Sequence, residues 1–263
     1  MTEADLYVIA AGNGSRMNSS LPKPLIQIVD EPCLTTTLRR ISGFFRRTFI
    51  VTNVLSHELW RDYFDGLYTT QHDMVDRVRE VPIRSGLGDG HATMHGILEA
   101  KKLFGGSLLN DIVIVWGDVF FTEGELIKEI LSCDLVGAGL IPAVLEDDPY
   151  VCLRADDLMR CMSADFSKYG ERHAFGLHDQ SVFRFNLPRL MRALQNLHKC
   201  LWKNDRYLSP GGELSLLHSF HELYNSGDAA YVYETKYTTA SFNTRQELME
   251  LRKDATEPKM VPS

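Results

Sequence analysis

The 263-residue chain predicts an α/β fold, a parallel sheet flanked by helices, on three observations. Short apolar runs alternate with amphipathic stretches through the first half. The run Val8-Ile9-Ala10-Ala11-Gly12 ends in a small-residue turn, and Ile112-Val113-Ile114-Val115-Trp116 ends in Gly117-Asp118. Both have the length and composition of strands buried on both faces.

The elements follow in order. Residues 6–10 read as the first strand, 34–45 as a helix, 49–53 as a second strand, 57–64 as a helix and 78–83 as extended chain. Asp89 precedes a helical run over 92–104, in which Ala92, Met94, Ile97, Leu98 and Leu103 make an apolar face. Residues 112–116 form the clearest strand, and ligands of open α/β sheets gather at such carboxyl ends. The second half is less regular, with strands expected at 135–144, 181–185 and 229–234 and helices at 189–202 and 213–224. No internal repeat or linker is visible, so we expect one domain over 1–254 and a loose tail over 255–263.

Composition narrows the function. A net charge of −7 argues against a nucleic-acid partner, which would call for a basic face or stripe. The acidic start, Met1-Thr2-Glu3-Ala4-Asp5, lacks the basic and apolar parts of a secretory signal, and the longest apolar stretch, 136–145, is too short to span a bilayer. A cytoplasmic protein without a membrane partner is expected; nothing in the sequence sets its oligomeric state. Five cysteines, odd in number and without Cys-x-x-Cys spacing, fit reduced thiols. His91 and His95, and likewise His218 and His221, would share a helical face, yet neither pair carries the Glu of a His-Glu-x-x-His zinc motif, and hydrogen-bonded histidines are the expectation.

The chemistry concentrates in residues 8–25. A turn of Ala10, Ala11, Gly12, Asn13, Gly14 and Ser15 lets backbone N–H groups approach phosphate oxygens with no side chain between. Arg16 and Lys23 add a planar fork and a point charge, suited to the negative charge that builds up in phosphoryl or nucleotidyl transfer. Other readings of the glycines fail. A dinucleotide fingerprint needs Gly or Ala where Met17 stands, and Pro22 and Pro24 would break its helix; a Walker loop needs a Gly-Lys pair that is absent.

Three further segments stand in order behind this loop: Gly86-Leu87-Gly88-Asp89-Gly90-His91-Ala92, Val115-Trp116-Gly117-Asp118-Val119 and Ala240-Ser241-Phe242-Asn243-Thr244-Arg245. With them the chain resembles the sugar-nucleotidyltransferase superfamily, most closely the uridylyltransferase domain of N-acetylglucosamine-1-phosphate uridyltransferases, from about residue 6 to 251. The resemblance implies a three-layer, Rossmann-like fold of the nucleotide-diphospho-sugar transferase type: a mixed, mostly parallel sheet with helices on both faces. It implies a nucleotide site at Ala10–Ser15, Gly88 and Asp89, with Arg16 and Lys23 as the catalytic cations. It places Mg²⁺ on Asp118 and Asn243, an oxygen donor set that suits that ion.

The departures fall where substrates would be read. Ile83 stands where the superfamily has a base-reading Gln, and Asp89 replaces a Thr; we expect Asp89 to cap the following helix rather than face phosphate. Cys152-Leu153-Arg154 replaces Tyr-Gly-Arg, and Ser163 and Asp179 fall near the sugar-reading Glu and Asn, which makes Leu153, Ser163 and Asp179 the acceptor-site candidates. The expected activity is Mg²⁺-dependent transfer from a nucleoside triphosphate, UTP or CTP, to a sugar 1-phosphate or similar phosphorylated small molecule, for nucleotide-sugar biosynthesis or a related route. The alternative is a nucleotide-binding regulatory protein of the same fold without turnover.

Overall fold

The computed structural model describes residues 3–12, 19–84, 86–105, 108–242 and 244–256, with the side chains of Asp73, Asp254 and Thr256 left aside. The first half alternates as expected: β1 (Asp5–Ile9), α1 (Cys33–Ile41), β2 (Arg47–Asn53), α2 (His57–Thr70), β3 (Val78–Ile83), α3 (Asp89–Phe104) and β4 (Asp111–Trp116). A two-residue β5 (Val119–Phe120) and α4 (Glu125–Ser132) follow. The second half opens with five strands, β6 (Gly139–Asp147), β7 (Val151–Ala155), β8 (Cys161–Phe166), β9 (Phe175–Asp179) and β10 (Val182–Asn186). Then come α5 (Leu187–Leu201), the short pair β11 (Trp202–Lys203) and β12 (Arg206–Tyr207), α6 (His218–Asn225), β13 (Ala230–Glu234), β14 (Ala240–Ser241) and α7 (Arg245–Thr256).

One ten-stranded sheet runs β3-β2-β1-β4-β10-β6-β9-β7-β8, with β13 also paired to β6. The strands β3, β2, β1 and β4 are mutually parallel, and antiparallel pairing begins only where β10 joins β4. Alternation along β1 divides two cores. Tyr7 and Ile9 face α3, α5 and α6, with Ile97, Leu194 and Phe220 among their buried company. Leu6 and Val8 face α1, α2 and α4, with Leu38, Trp60 and Ile130. Helices therefore cover both faces of the mixed sheet, the three-layer arrangement anticipated above.

Several expectations need correction. The first helix stops at Ile41, and Ser42–Phe44 turn as a 3-10 segment. The strand expected over 135–144 runs Gly139–Asp147 instead. Strands β7, β8 and β9 were not anticipated; they are half-exposed, poor in β-branched residues, and exist through pairing with one another and with β6. The helix expected over 213–224 begins only at His218, because residues 214–216 cross the start of α3. Helix α7 continues to Thr256, so residues 255 and 256 are helical rather than tail.

One buried ion pair ties the two halves. Arg184 on β10 is 1% exposed; it donates to both oxygens of Asp111 at 3.0 and 2.7 Å and to the carbonyls of Ile130 and Cys133 at 2.7 Å. Removing the guanidinium alone would strand a carboxylate and two carbonyls away from water. Arg184→Met is expected to lower unfolding free energy by about 3–5 kcal/mol in urea, and Asp111→Asn in the same chain should restore part of it. A single variant within about 1 kcal/mol of the parent would contradict this role.

Candidate functional site

The carboxyl ends of β1 and β4 are adjacent in the sheet, and both chains turn there. Gly117 N–H donates to Ile9 O at 2.9 Å, and Ala10 N–H to Val51 O at 2.9 Å, which aligns the turn Ala10-Ala11-Gly12 beside Gly117-Asp118. The fit is close: a Cβ at Gly117 would lie 2.9 Å from Pro24 and 3.0 Å from the Ala10 methyl, and one at Gly86 would lie 2.5 Å from Ala11 O. Lys23 enters on a 3-10 turn, Lys23–Leu25, begun by Pro22. Its stem is buried, and its Nζ sits 3.1 Å from Asp118 Oδ2. Two residues 95 positions apart thus meet at the strand ends.

They line a cleft of about 400 Å³ that also includes Ala10, Ala11, Gly12, Gly88, Asp89 and Asp179. Ser241 reaches the same cleft because β14 pairs with β5, Ser241 opposite Val119. Asn13, Gly14, Ser15, Arg16 and Asn243 lie outside the described residues. The chain next to two of them is nevertheless placed: Gly12 lines the cleft, and Phe242, before Asn243, is fully buried.

Gly88 and Asp89 have a second occupation. Residues 214–216 cross the start of α3, where Leu214 O accepts from Gly90 N–H at 2.9 Å and His91 N–H at 3.3 Å. Gly88, at φ +97°, has room for no side chain, since a Cβ would fall 2.3 Å from Leu214 O. Asp89 does not cap its own helix, whose cap position is Gly88. Its carboxylate reaches across to Ser215 Oγ at 3.0 Å and Leu216 N–H at 2.5 Å. Burial holds this carboxyl above the usual range, against those two hydrogen bonds. The crossing chain therefore takes both the first N–H groups of α3 and the charge of Asp89.

The acceptor-site candidates separate. Asp179, at the end of β9, is 5% exposed and lines the cleft. Leu153 is packed in the core, Ser163 pairs with Arg154 in β8, and neither reaches the cleft wall. Ile83 is buried in the core as well. The positions of Leu153, between β9 and β8, and of Ser163, on the edge strand β8, depend on the β7–β8 pairing, which local sequence does not announce. The wall facing the glycine turn contains residues that sequence reasoning passed over: Tyr150, Phe166, Lys168, His178 and Glu213. They stand singly, Phe166 and His178 at or next to the ends of β8 and β9 and the others between strands and helices, and carry no motif. Trp116, beside Asp118, was within a quoted motif and also lines the cleft.

The MobA-like NTP transferase domain matches residues 6–178. The chain belongs to that family. Among curated proteins it is similar to the bifunctional protein GlmU of Ruegeria sp. (strain TM1040), 29% identical over 127 residues, 48% of this chain and 26% of that protein. It is also similar to GlmU of Mycobacterium sp. (strain KMS), 23% identical over 213 residues, 79% of this chain and 41% of that protein. The matched region is thus less than half of either relative. Among solved structures, a nucleoside-diphosphate-sugar pyrophosphorylase from Vibrio cholerae RC9 superposes with a TM-score of 0.70 at 12% identity, over 95% of this chain and 99% of that one. HddC from Yersinia pseudotuberculosis complexed with GMP-PN gives 0.63 at 16%, over 96% and 100%. These two show the fold; the resemblance to sugar-nucleotidyltransferases drawn from the motifs is borne out.

In this member of the NTP transferase family the histidines of both pairs are engaged by neighbouring side chains or backbone. Among the described residues no group of three or more His, Cys, Asp or Glu is arranged to hold a metal, and all five cysteines are free thiols. His91 and His95 stack at 4.2 Å. Tyr207 Oη lies 2.8 Å from Nδ1 of both His91 and His198, so it donates to one ring and accepts from the other. His218 Nδ1 accepts from Ser215 N–H at 3.2 Å, and His221 pairs with Asn225. Burial, with the His95 and His198 rings beside it, pushes the His91 imidazole down from 6.5 to about 4. Because the unfolded chain binds that proton more readily, stability is full above pH 6.5 and falls as pH drops toward 4. Denaturation at pH 7 and pH 4.5 should show a loss on the order of 2 kcal/mol greater in the parent than in His91→Gln. Equal losses would remove His91 from the account.

Proposed function

We propose that the chain transfers a nucleotidyl group from a nucleoside triphosphate to the phosphate of a small-molecule acceptor, with release of pyrophosphate. The observation that carries this reading is the Lys23–Asp118 pair, 3.1 Å apart at the carboxyl ends of β1 and β4 and on the wall of the cleft. Membership of an NTP transferase family supports it. The triphosphate is assigned to the side of Ala10, Ala11 and Gly12, where backbone approaches without side chains, with Arg16 and the rest of the loop, Asn13 to Ser15, as its expected continuation. UTP or CTP is the nucleotide proposed, in a cytoplasmic setting.

Asp118 and Asn243 are the proposed Mg²⁺ ligands. The donor chemistry fits: Asp118 gives one oxygen to Lys23 and has no other hydrogen-bond partner among the described residues, and Mg²⁺ asks for few protein oxygens because phosphates and water complete its shell. When bound, the ion would neutralise charge on the phosphates. An acceptor phosphate oxygen forms a bond to the α-phosphorus in line, and the bond from that phosphorus to the pyrophosphate oxygen breaks. The acceptor is already an anion, so no general base is needed. Lys23 stabilises the negative charge that moves onto the leaving pyrophosphate; held by Asp118 and by the turn at Pro22, it is ordered before substrate arrives.

Lys23→Ala and Asp118→Asn should each lower pyrophosphate release by about 10²–10³-fold, with Mg²⁺ and a panel of triphosphates and phosphomonoesters. Asp118→Asn should melt close to the parent, since a partly exposed pair contributes about 1 kcal/mol or less, whereas Lys23→Ala also loses a buried stem and should melt lower while staying folded. Rates near those of the parent in either variant would overturn the assignment. Triphosphate binding without pyrophosphate from any pair in the parent would favour a regulatory protein of the same fold.

A further inference from the structure

The cleft wall opposite the glycine turn carries a buried carboxylate with no cation to neutralise it. Asp179 is 5% exposed; it accepts a hydrogen bond from Ser181 N–H at 2.8 Å and forms no ion pair among the described residues. Its ionisable neighbour His178 is engaged by the Glu146 carboxylate. Burial holds the Asp179 carboxyl above the usual range. A charge kept in such a place is costly unless something supplies the opposite sign, and Asp179 lines the cleft that a ligand enters.

The surrounding wall says which kind of newcomer fits. Trp116 and Tyr150 present aromatic surface to the cleft, and Glu213 adds a second, exposed carboxylate. Among the described lining residues there is no Asn, Gln, Thr or Arg, and the neutral hydroxyls are those of Tyr150, Ser181 and Ser241. A sugar ring would draw on Asp179 and Glu213 for its hydroxyls, which supplies hydrogen bonds but leaves the Asp179 charge without an opposite sign. A carboxylate among aromatic rings is instead the setting that receives an ammonium group. Lys168, over the rings of Phe166 and Tyr169 at 5.4 and 4.8 Å, and Lys23 give the same cleft two positive charges for a phosphate.

Resting on the nucleotidyl-transfer reading, we propose that the acceptor is a phosphomonoester of an amino alcohol, its protonated or quaternary ammonium group held by Asp179 against Trp116 and Tyr150. Its phosphate end is then left to Lys168, the lining lysine that the transfer reading does not assign to the leaving pyrophosphate. Charge decides the choice: a neutral acceptor would leave Asp179 uncompensated.

Equilibrium binding tests this without requiring turnover. With Mg²⁺ and a non-hydrolysable CTP or UTP analogue present, calorimetry would compare phosphocholine and phosphoethanolamine with 3,3-dimethylbutyl phosphate, the uncharged carbon counterpart, and with glucose 1-phosphate. The cationic esters should bind at least about tenfold more tightly than the uncharged one. Asp179→Asn should bring the two within about threefold while leaving the uncharged ester's affinity unchanged, and its melting temperature at neutral pH should not fall, since a buried charge is removed. Equal or tighter binding of the uncharged ester or of glucose 1-phosphate overturns the proposal, and so does selectivity that survives in Asp179→Asn. The selectivity of the unaltered protein decides by itself should the variant not fold. Selective binding without pyrophosphate release from any pair would leave the ammonium site standing and remove the transfer reading; release with sugar phosphates alone would do the reverse.

Discussion

Close approach of backbone at the carboxyl end of β1 is the constraint on which the rest of the molecule depends. β1 is buried on both faces between β2 and β4, so its chain can leave the sheet only where its neighbours permit. Gly117 and Gly86 are small because a Cβ on either would run into Pro24 and Ala10 or into the Ala11 carbonyl, and Ala10 is small because it lies against Gly117. That packing leaves peptide groups rather than side chains at the cleft. It also draws Pro24, and with it Lys23, against Gly117 and within reach of Asp118. A longer side chain at any of these positions would separate the strand ends and the two charges together.

The second half of the chain completes the site by covering it. Residues 214–216 lie across the start of α3 and take its first N–H groups, a role that helices in phosphate sites leave open to ligand. Here the Gly90 and His91 N–H groups of α3 are taken by protein instead. The strands β7, β8 and β9 extend the sheet beyond β6 and raise the wall that carries Tyr150, Phe166, His178 and Asp179. Thr239 reinforces the junction, donating through N–H and Oγ1 to Gln180 at 2.9 Å each, so the segment leading to Ser241 is tied to the one that carries Asp179.

Two chemically different walls result. The first is backbone with one buried lysine; the second is aromatic and acidic, with Lys168 stacked on its rings. Such a division separates the constant part of a reaction from the part that chooses a substrate, since backbone N–H groups take any phosphate while side chains discriminate by charge and shape.

The sequence alone determined the parallel half of the sheet, its alternating helices and the glycine turn, and offered Lys23 and Asp118 as separate candidates, which the fold then brought together. Each of these is encoded locally: a strand buried on both faces is a continuous apolar run, and a turn that admits phosphate must be made of small residues. The tertiary structure alone decided the rest. Asp89 reads locally as a helix cap, yet its partners are Ser215 and Leu216, more than 120 residues away. Leu153 and Asp179 read alike as acceptor candidates, and pairing within β6–β9 buries one in the core and sets the other in the cleft. Half-exposed strands carry little pattern of their own, so which of their side chains reaches the site is settled by register against strands distant in the chain.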